Sequence, residues 1–316
     1  MRPRLTVAAV STAVAVSLSP VVAHAAPAPV TGVGLNGPVN KSVAVDAQFN
    51  PDDAYTVGLQ ALRQLRGEMW DLNPRFTLHL NSKPTHLQDI AAEYRLNNKE
   101  EYVNGFSIDH TLTRIAIQRA VEETGSKDYT QTRKANHIRP DGTDFWKAMV
   151  NPTFEDEAQT VEEALDAGSN LRDSILNRWG RSQLDGLNKV GGHSKYESVY
   201  LHLLLNPQYR YYGFAQVSIP GSKHGTYTVA EANTVPHKGT KMPTGEQRVW
   251  LYRPAAPGEK PTGLRKGVPG PLRDLNGPSS AGESSGGAGP ILGIIFGVLG
   301  VLGIIAGIAR QLGLLG

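Results

Sequence analysis

An uncharged apolar segment lies near each end of the chain, which leaves only the polar middle to form a water-soluble domain. In residues 1–25, Arg2 and Arg4 precede the apolar run Leu5–Leu18, and small residues end the segment at Ala25. A basic start, an apolar stretch and small residues before a cleavage point are typical of a secretory signal peptide. We expect cleavage after Ala25; an uncleaved anchor is the alternative.

The second apolar segment, residues 290–310, has the length of a membrane helix. The uncharged run Ile291–Ala309 would extend about 29 Å at about 1.5 Å per residue, close to the roughly 30 Å of a hydrocarbon core. We therefore expect a single-pass anchor in the cell membrane, with the body outside and residues 311–316 as a short inner tail. The small residues that would let two such helices self-associate are Gly293, Gly297, Gly303 and Gly307.

The middle of the chain divides into a domain between two segments with few structural signals. Residues 254–289 are rich in Pro, Gly and Ser, which favours a flexible stalk because such a composition buries little apolar surface. We expect the domain at residues 53–232, after a leader at 26–52 and before an extension at 233–253. A net charge of +3 gives no reason to expect a nucleic-acid partner. The absence of cysteine excludes disulfides and thiolate sites.

Helical periodicity comes first along this domain, and β-strand alternation comes last. That order predicts an α+β domain with an antiparallel sheet rather than repeated βαβ units. The predicted helices run from Asp53 to Met69, from Thr85 to Leu96, from Asp109 to Gly125 and, with an interruption near Gly168, from Thr160 to Trp179. The predicted strands are Tyr211–Ser218 and Thr226–Ala232.

Two histidines have surroundings that mark them as candidate site residues. His137 opens the sequence HIRPDG, whose Pro140-Asp141-Gly142 predicts a tight turn that holds the imidazole near a rigid bend. His202 is the polar residue of the apolar run Tyr200–Leu205. The sequence contains no His-Glu-x-x-His, no Gly-x-Ser-x-Gly and no phosphate-binding glycine loop, so the common hydrolase motifs are missing.

Four elements in a fixed order carry a resemblance to a known family. They are Ile115–Glu122 (IAIQRAVE), the HIRPDG turn, Trp179, and His202 leading into Asn206–Gly213 (NPQYRYYG). In this order they resemble the CAP superfamily, which comprises the cysteine-rich secretory, antigen 5 and pathogenesis-related proteins and is also called the SCP domain. The likeness covers about Asp53 to Glu231, most of the expected mature ectodomain, and the absence of cysteine matches a disulfide-free bacterial form of the family.

The resemblance implies a three-layer α-β-α sandwich whose cleft holds two histidines and two acidic residues. The histidines match His137 and His202. The first glutamate matches Glu163, although the residues beside it differ from the family's Gly-Glu-Asn element and Glu162 remains an alternative. The position of the second acidic residue holds Ser182, and Glu197 lies closer to His202 along the chain.

This residue set leaves the chemistry of the implied cleft open. Two neutral imidazoles and a carboxylate (His137, His202 and Glu163) can bind zinc or a similar divalent ion. The alternative is a hydrogen-bonded polar cluster that fills the cleft. We expect a non-catalytic module at the bacterial cell surface that binds a lipid or an envelope or host protein. The alternatives are a metal-dependent hydrolase or protease and a structural envelope protein assembled through its glycine-rich helix.

Overall fold

A computed structural model describes residues 39–78, 85–125, 137–145, 161–237, 241–263 and 265. They all fall within one unit of the chain, Met1–Pro271. The predicted signal peptide, membrane segment, inner tail and most of the stalk lie outside the described residues. Within these ranges, no helix combines the length and the apolar character needed to cross a membrane.

A mostly antiparallel sheet forms the centre of the fold. The strands are β1 (Ser42–Phe49), β2 (Arg75–Phe76), β3 (Thr85–His86), β4 (Ser107–Ile108), β5 (Glu162–Ala167), β6 (Tyr211–Ser218), β7 (Thr226–Asn233) and β8 (Gln247–Pro254). The main sheet has the order β5-β7-β6-β1-β8, and each neighbouring pair is antiparallel. The short β4 runs parallel to β6, and β2 pairs separately with β3.

The helices confirm the predicted α+β class. They are α1 (Leu59–Leu72), α2 (Leu87–Glu93), α3 (Lys99–Asn104), α4 (His110–Glu122), α5 (Leu171–Asp173), α6 (Leu184–Lys189) and α7 (Val199–Leu205). The helix predicted from Asp109 begins where expected because the Asp109 carboxylate accepts hydrogen bonds from the first free amides, Thr111 N at 2.7 Å and Leu112 N at 3.0 Å. The two predicted strands, β6 and β7, are also confirmed.

Helices pack on both faces of the main sheet, since alternate residues of a strand point to opposite sides. On one face, Val217 and Val229 share a buried apolar cluster with Ala120 of α4. On the other face, Phe214 shares a second cluster with Leu65 of α1, and this cluster also contains the apolar side chains of α7. The sheet therefore separates two cores.

Gly213 allows α4 to lie unusually close to the sheet. A Cβ atom at this position would lie 2.1 Å from the Leu112 carbonyl carbon and 2.2 Å from Thr113 N. Because no side chain fits at those distances, only glycine permits this approach of strand and helix. Gly213 is the β6 partner of Glu231, so the close approach occurs beside the polar residues described below.

The segment after Thr160 departs from its predicted helix. Glu162–Ala167 forms strand β5 and pairs with β7 along its whole length, from Glu162 opposite Ala232 to Ala167 opposite Tyr227. Helical structure begins only at Leu171, after Gly168 turns the chain with φ +88°. The prediction was wrong because a short run of buried residues is compatible with both a helix and a strand. Here the pairing with β7 makes the segment a strand.

Two further strands lie outside the predicted domain 53–232. Strand β1 falls within the predicted leader, and β8 covers the end of the predicted extension and the first stalk residue, Pro254. The two strands pair from Ser42 opposite Pro254 to Phe49 opposite Gln247, and Leu251 is buried in the core beside α4. The described domain therefore begins and ends with strands that pair with each other.

Candidate functional site

A network of buried charged side chains lies between α4 and strands β5 and β7. Arg119 of α4 is fully buried, and its Nε donates to Glu163 Oε2 at 2.7 Å while Nη2 reaches Glu163 Oε1 at 3.2 Å. On its own helix, Nη1 donates to Glu122 Oε2 at 2.8 Å and Nη2 to Glu123 Oε1 at 3.2 Å. Residues three and four positions apart share a helix face, so one helix supplies this part of the network.

The HIRPDG turn supplies a second buried arginine. Arg139 Nε donates to both carboxylate oxygens of Glu122 at 3.0 Å, and both side chains are fully buried. The predicted tight turn is present: Gly142 adopts φ +88° and its N–H donates to Arg139 O at 2.9 Å. The Asp141 carboxylate accepts from Thr143 N and Thr143 Oγ1, at 3.0 and 2.7 Å. The turn therefore holds the segment against α4.

His137 is the partly exposed end of this network. Its Nδ1 lies 2.9 Å from Glu163 Oε1, and 38% of its side chain is exposed while that of Glu163 is fully buried. Since an ionised carboxylate only accepts hydrogen bonds, Nδ1 carries a proton and donates it to Glu163. Among the described residues, nothing forms a hydrogen bond with Nε2. A buried carboxylate thus orients an imidazole that reaches solvent.

Glu231 lies directly opposite Glu163 in the β5–β7 register. Its side chain is fully buried, and within the described part of the chain no donor reaches either of its carboxyl oxygens. Burial, and then the neighbouring Glu163, raise the pKa of Glu231 well above its ordinary value. The neutral acid is the form that fits this position, because two ionised carboxylates directly opposite each other would repel.

The other carboxyls of the network divide into charged and neutral forms. Burial opposes ionisation of Glu163, but Arg119 and His137 outweigh it and lower the pKa of Glu163 to about 2. Burial raises the pKa of Glu123 to about 8 despite the opposing effect of Arg119. The ion pairs of the two buried guanidiniums are Arg119 with Glu122 and Glu163, and Arg139 with Glu122.

The structure places His202 in a different environment from His137. Its Nε2 lies 3.0 Å from Thr77 O, and its ring stacks on Phe76 with centroids 4.4 Å apart. Burial lowers the pKa of His202 to about 4, so the ring is neutral and Nε2 donates to the carbonyl. The residues that follow α6 also contact Thr77, whose N–H donates to Gly192 O at 2.9 Å. His202 thereby joins α7 to the segment that contains β2 and Thr77.

The remaining predicted site residues are dispersed. Ser182 is exposed and its Oγ donates to Arg178 O at 2.9 Å. Glu197 is exposed, and Glu162 points away from Glu163 because neighbours on a strand face opposite sides. Of the predicted cleft residues, the structure joins only His137 and Glu163.

The predicted metal ligands His137, Glu163 and His202 do not form one group among the described residues. Across the described ranges, no group of three or more His, Asp or Glu side chains is placed to hold a metal ion. Both oxygens of Glu163 already accept from Arg119 and His137, and Nε2 of His202 is bonded to Thr77 O. Metal binding remains a prediction from the sequence.

Comparison with known proteins adds no identification. No family model, no curated protein and no solved structure matches this chain. The CAP resemblance therefore remains an interpretation of the four sequence elements.

Sequence reasoning missed most of the buried network, although part of the signal was visible. Arg119 and Glu122 belong to the IAIQRAVE element. In the sequence analysis this element contributed to the CAP resemblance but was not recognised as a source of buried charges. In β7, the alternation that buries Tyr227 and Val229 on one face also puts Glu231 on that face. A glutamate at a core-facing position indicates a buried polar partner.

Proposed function

We propose that this protein is an extracellular CAP-type binding protein whose ligand site is the cleft beside His137. The observation that carries the proposal is the half-exposed His137 imidazole, which is held by fully buried Glu163 and, through it, by Arg119. A rigid network that leads to one surface group supports recognition, because a preorganised group loses little freedom when a ligand binds.

The surroundings of His137 favour binding over catalysis. The rings of Phe145 and Tyr200 lie 5.9 and 6.2 Å from the His137 ring, so apolar surface borders the imidazole, as is common at ligand sites. A serine hydrolase needs a nucleophile hydrogen-bonded to its histidine. Among the described residues, the imidazole of His137 forms a hydrogen bond only with Glu163, and no hydroxyl group is bonded to this pair.

The finer fold assignment belongs to the same proposal. Helices on both faces of a largely antiparallel sheet are compatible with the three-layer α-β-α sandwich of the CAP family. The apolar ends support export through residues 1–25 and a single membrane span at 290–310, with self-association through Gly293, Gly297, Gly303 and Gly307 as a further part of the proposal. Truncation after Gly289 should then move the protein from the membrane fraction to the medium.

A comparison of two histidine variants tests the proposed site. The full chain, in non-ionic detergent, is incubated with lipids and proteins extracted from bacterial envelopes, and retained molecules are quantified by mass spectrometry. We expect the wild type to enrich a lipid or a protein, and His137→Ala to lose at least about tenfold of that enrichment, because about 1.4 kcal/mol of binding free energy corresponds to tenfold.

His193→Ala is the matched control, since His193 is also partly exposed and has no hydrogen-bonding side-chain partner among the described residues. It should bind as the wild type does. Equal enrichment by all three proteins would contradict a ligand site at His137. A Zn²⁺ titration of the same proteins addresses the predicted metal: stoichiometric binding that His137→Ala abolishes would favour the metal-dependent hydrolase instead.

A further inference from the structure

A surface pocket lies between the end of α1, strands β2 and β3, and α6. Its volume is about 420 Å³, within the range of about 300–1,000 Å³ that is usual for small-molecule sites. We call it the α1–α6 pocket, and it is lined by Leu72, Asn73, Pro74, Arg75, His86, Leu184 and Asn188. None of these residues belongs to the site of His137, so the pocket is a second candidate site.

Strand pairing brings two polar side chains of the pocket together. Arg75 lies directly opposite His86 in the β2–β3 pair, and residues opposite each other project from the same face of the pair. The alternation of the strand buries Phe76 in the core and leaves Arg75 exposed. Within the described residues, the Arg75 guanidinium forms no hydrogen bond and no ion pair. The pocket therefore has an accessible cation in its wall.

The walls around Arg75 are fixed by contacts that do not use its guanidinium. Asn188 Oδ1 accepts a hydrogen bond from Arg75 N at 3.3 Å. His86 Nδ1 donates to Asn73 O at 2.9 Å, since a carbonyl oxygen only accepts. Gly192 packs so closely on β2 that a Cβ atom there would lie 2.6 Å from the carbonyl carbon of Arg75. The pocket is thus preorganised, which lowers the entropic cost of binding a ligand.

The charge of the pocket favours an anion. Among the described residues that line it, Arg75 is the formally charged one and none is acidic. The nearby Asp89 carboxylate is already engaged, since it accepts from Thr85 Oγ1 at 3.0 Å and from His86 N at 3.4 Å. A guanidinium binds a carboxylate through two parallel hydrogen bonds, so Arg75 suits that group better than it suits a neutral one.

Apolar side chains form the rest of the pocket. Leu72, which ends α1, is 60% exposed, although leucine is one of the residues most often buried. Leu184 and Pro74 also line the pocket, so apolar surface lies beside the cation. An inorganic anion would pair with Arg75 but leave this surface in water, whereas an organic acid with a short apolar chain would cover it.

We propose that the α1–α6 pocket binds an organic carboxylate that carries a short apolar chain, with Arg75 as its counter-ion and Leu72 and Leu184 against the chain. The carboxylate belongs to a free acid or to the C-terminal residue of a peptide, since both present the same group. This inference goes beyond the proposed function, because it assigns a ligand class to a pocket that the His137 site does not include.

Probes that differ in one group test the inference. The full chain in non-ionic detergent is titrated by calorimetry at pH 7 with 4-methylpentanoate, with N-acetyl-leucine and with the neutral amide of each, and titrations into detergent alone are subtracted. We expect at least one acid to bind about tenfold more tightly than its amide, the ratio expected for hydrogen bonds to a charged group. Acetate should bind about tenfold more weakly than the preferred acid, because it lacks the apolar chain. The preferred acid distinguishes a free acid from a peptide C-terminus.

Two glutamine variants show whether Arg75 is the counter-ion. Arg75→Gln should weaken binding of the preferred acid about tenfold and leave binding of its amide unchanged. Arg95→Gln removes an exposed cation beyond the other end of α2 and should bind as the wild type does. His137→Ala should also bind the acid as the wild type does, which separates a failure of this inference from a failure of the proposed function.

Four results would overturn the inference: equal binding of the acid and its amide, binding of acetate as tight as that of the preferred acid, no effect of Arg75→Gln, or no binding of any probe. In each of those cases, retained His137-dependent capture of an envelope ligand would leave the proposed function standing.

Discussion

Two fully buried arginines lie on opposite faces of the sheet and are neutralised in different ways. Arg66 of α1 donates from Nε to Leu204 O at 3.0 Å and from Nη2 to Tyr212 Oη at 3.1 Å and Asn206 O at 3.3 Å. Its guanidinium also lies 4.7 Å from the ring centre of Phe106. No carboxylate pairs with Arg66 among the described residues, whereas Arg119 contacts three of them.

The type of acceptor distinguishes the two arginines: neutral groups bind Arg66 within the core, whereas carboxylates bind Arg119 within the candidate site. The carbonyls around Arg66 lie at the carboxyl end of α7, where backbone groups lack helical partners and carry partial negative charge. Such groups do not titrate, so the surroundings of Arg66 are the same at any moderate pH. Carboxylates surround Arg119, and their charge depends on pH. Only the second arrangement connects to an exposed histidine.

The largest expected effect comes from removal of the two guanidiniums. Arg119→Met leaves the paired carboxylates buried without a counter-ion and should lower the free energy of unfolding by about 3–5 kcal/mol at pH 7. Arg66→Met leaves only neutral acceptors unpaired and should cost about 1–3 kcal/mol. Urea unfolding of both variants and the wild type, at pH 5 and pH 8, measures the two losses.

The pH dependence of these losses is the sharper part of the comparison. The loss in Arg119→Met should increase from pH 5 to pH 8, because protonation of the unpaired carboxyls relieves their repulsion at the lower pH. The loss in Arg66→Met should stay constant. Equal losses with equal pH dependence would show that the two arginines are neutralised in the same way.

Local signals predicted the elements of the fold that carry a strong periodic pattern. Helix α4 combines a capping aspartate with apolar residues at helical spacing, and β6 and β7 alternate on either side of Pro220-Gly221. Strand β5 was misread because only its pairing with β7 distinguishes it from a helix. Strands β1 and β8 were missed because each depends on a partner about 200 residues away, from Phe49–Gln247 to Ser42–Pro254.

Less of the candidate site than of the fold could be predicted, because its contacts join segments that are far apart in the sequence. The resemblance put His137 and Glu163 in one cleft, and the structure places His137 Nδ1 2.9 Å from Glu163 Oε1. His202 was also placed there, but an apolar run around a histidine does not reveal that its partner is the Thr77 carbonyl. Glu231 was not predicted as a site residue, because its place opposite Glu163 follows from the register of β5 and β7, which the sequence does not show.

The second-largest expected effect is the loss of unfolding free energy in Glu163→Gln and its decrease at acidic pH. The pKa of Glu163 is lowered to about 2 in the folded protein, so its ion pair contributes stability above its ordinary pKa, and that contribution is lost as pH falls toward 2. We expect Glu163→Gln to lower the free energy of unfolding by about 2–3 kcal/mol at pH 7 and by clearly less at pH 3. Urea unfolding across this pH range measures the convergence of variant and wild type.

A surface ion pair gives the matched control for Glu163. Glu68 accepts from Arg181 at 2.8 Å, but the side chains are 34% and 41% exposed. Because water screens such pairs, Glu68→Gln should cost less than about 1 kcal/mol at either pH. If Glu163→Gln cost no more than Glu68→Gln, or if its deficit did not shrink in acid, Glu163 could not be the strongly paired carboxylate that orients His137.

The smallest expected effect is that of Glu231→Gln, the variant that we expect to raise the free energy of unfolding. Its pKa is raised in the folded protein, so folding favours the protonated acid, and stability falls as pH rises from the ordinary pKa toward the folded value. Glutamine has nearly the same shape and stays neutral at both pH values. Glu231→Gln should therefore match the wild type within about 1 kcal/mol at pH 5 and exceed its free energy of unfolding by about 1–2 kcal/mol at pH 9.

The Arg66 side of the sheet supplies the control for this prediction. Tyr102 donates to Leu205 O at 2.7 Å, and burial raises the pKa of its phenol, so it stays neutral through pH 9. Tyr102→Phe should change stability by the same amount at pH 5 and pH 9. If the stability change in Glu231→Gln were also the same at pH 5 and pH 9, Glu231 would be ionised in the folded protein. A second negative charge would then face Glu163 across the β5–β7 pair, against the repulsion that favours the neutral acid there.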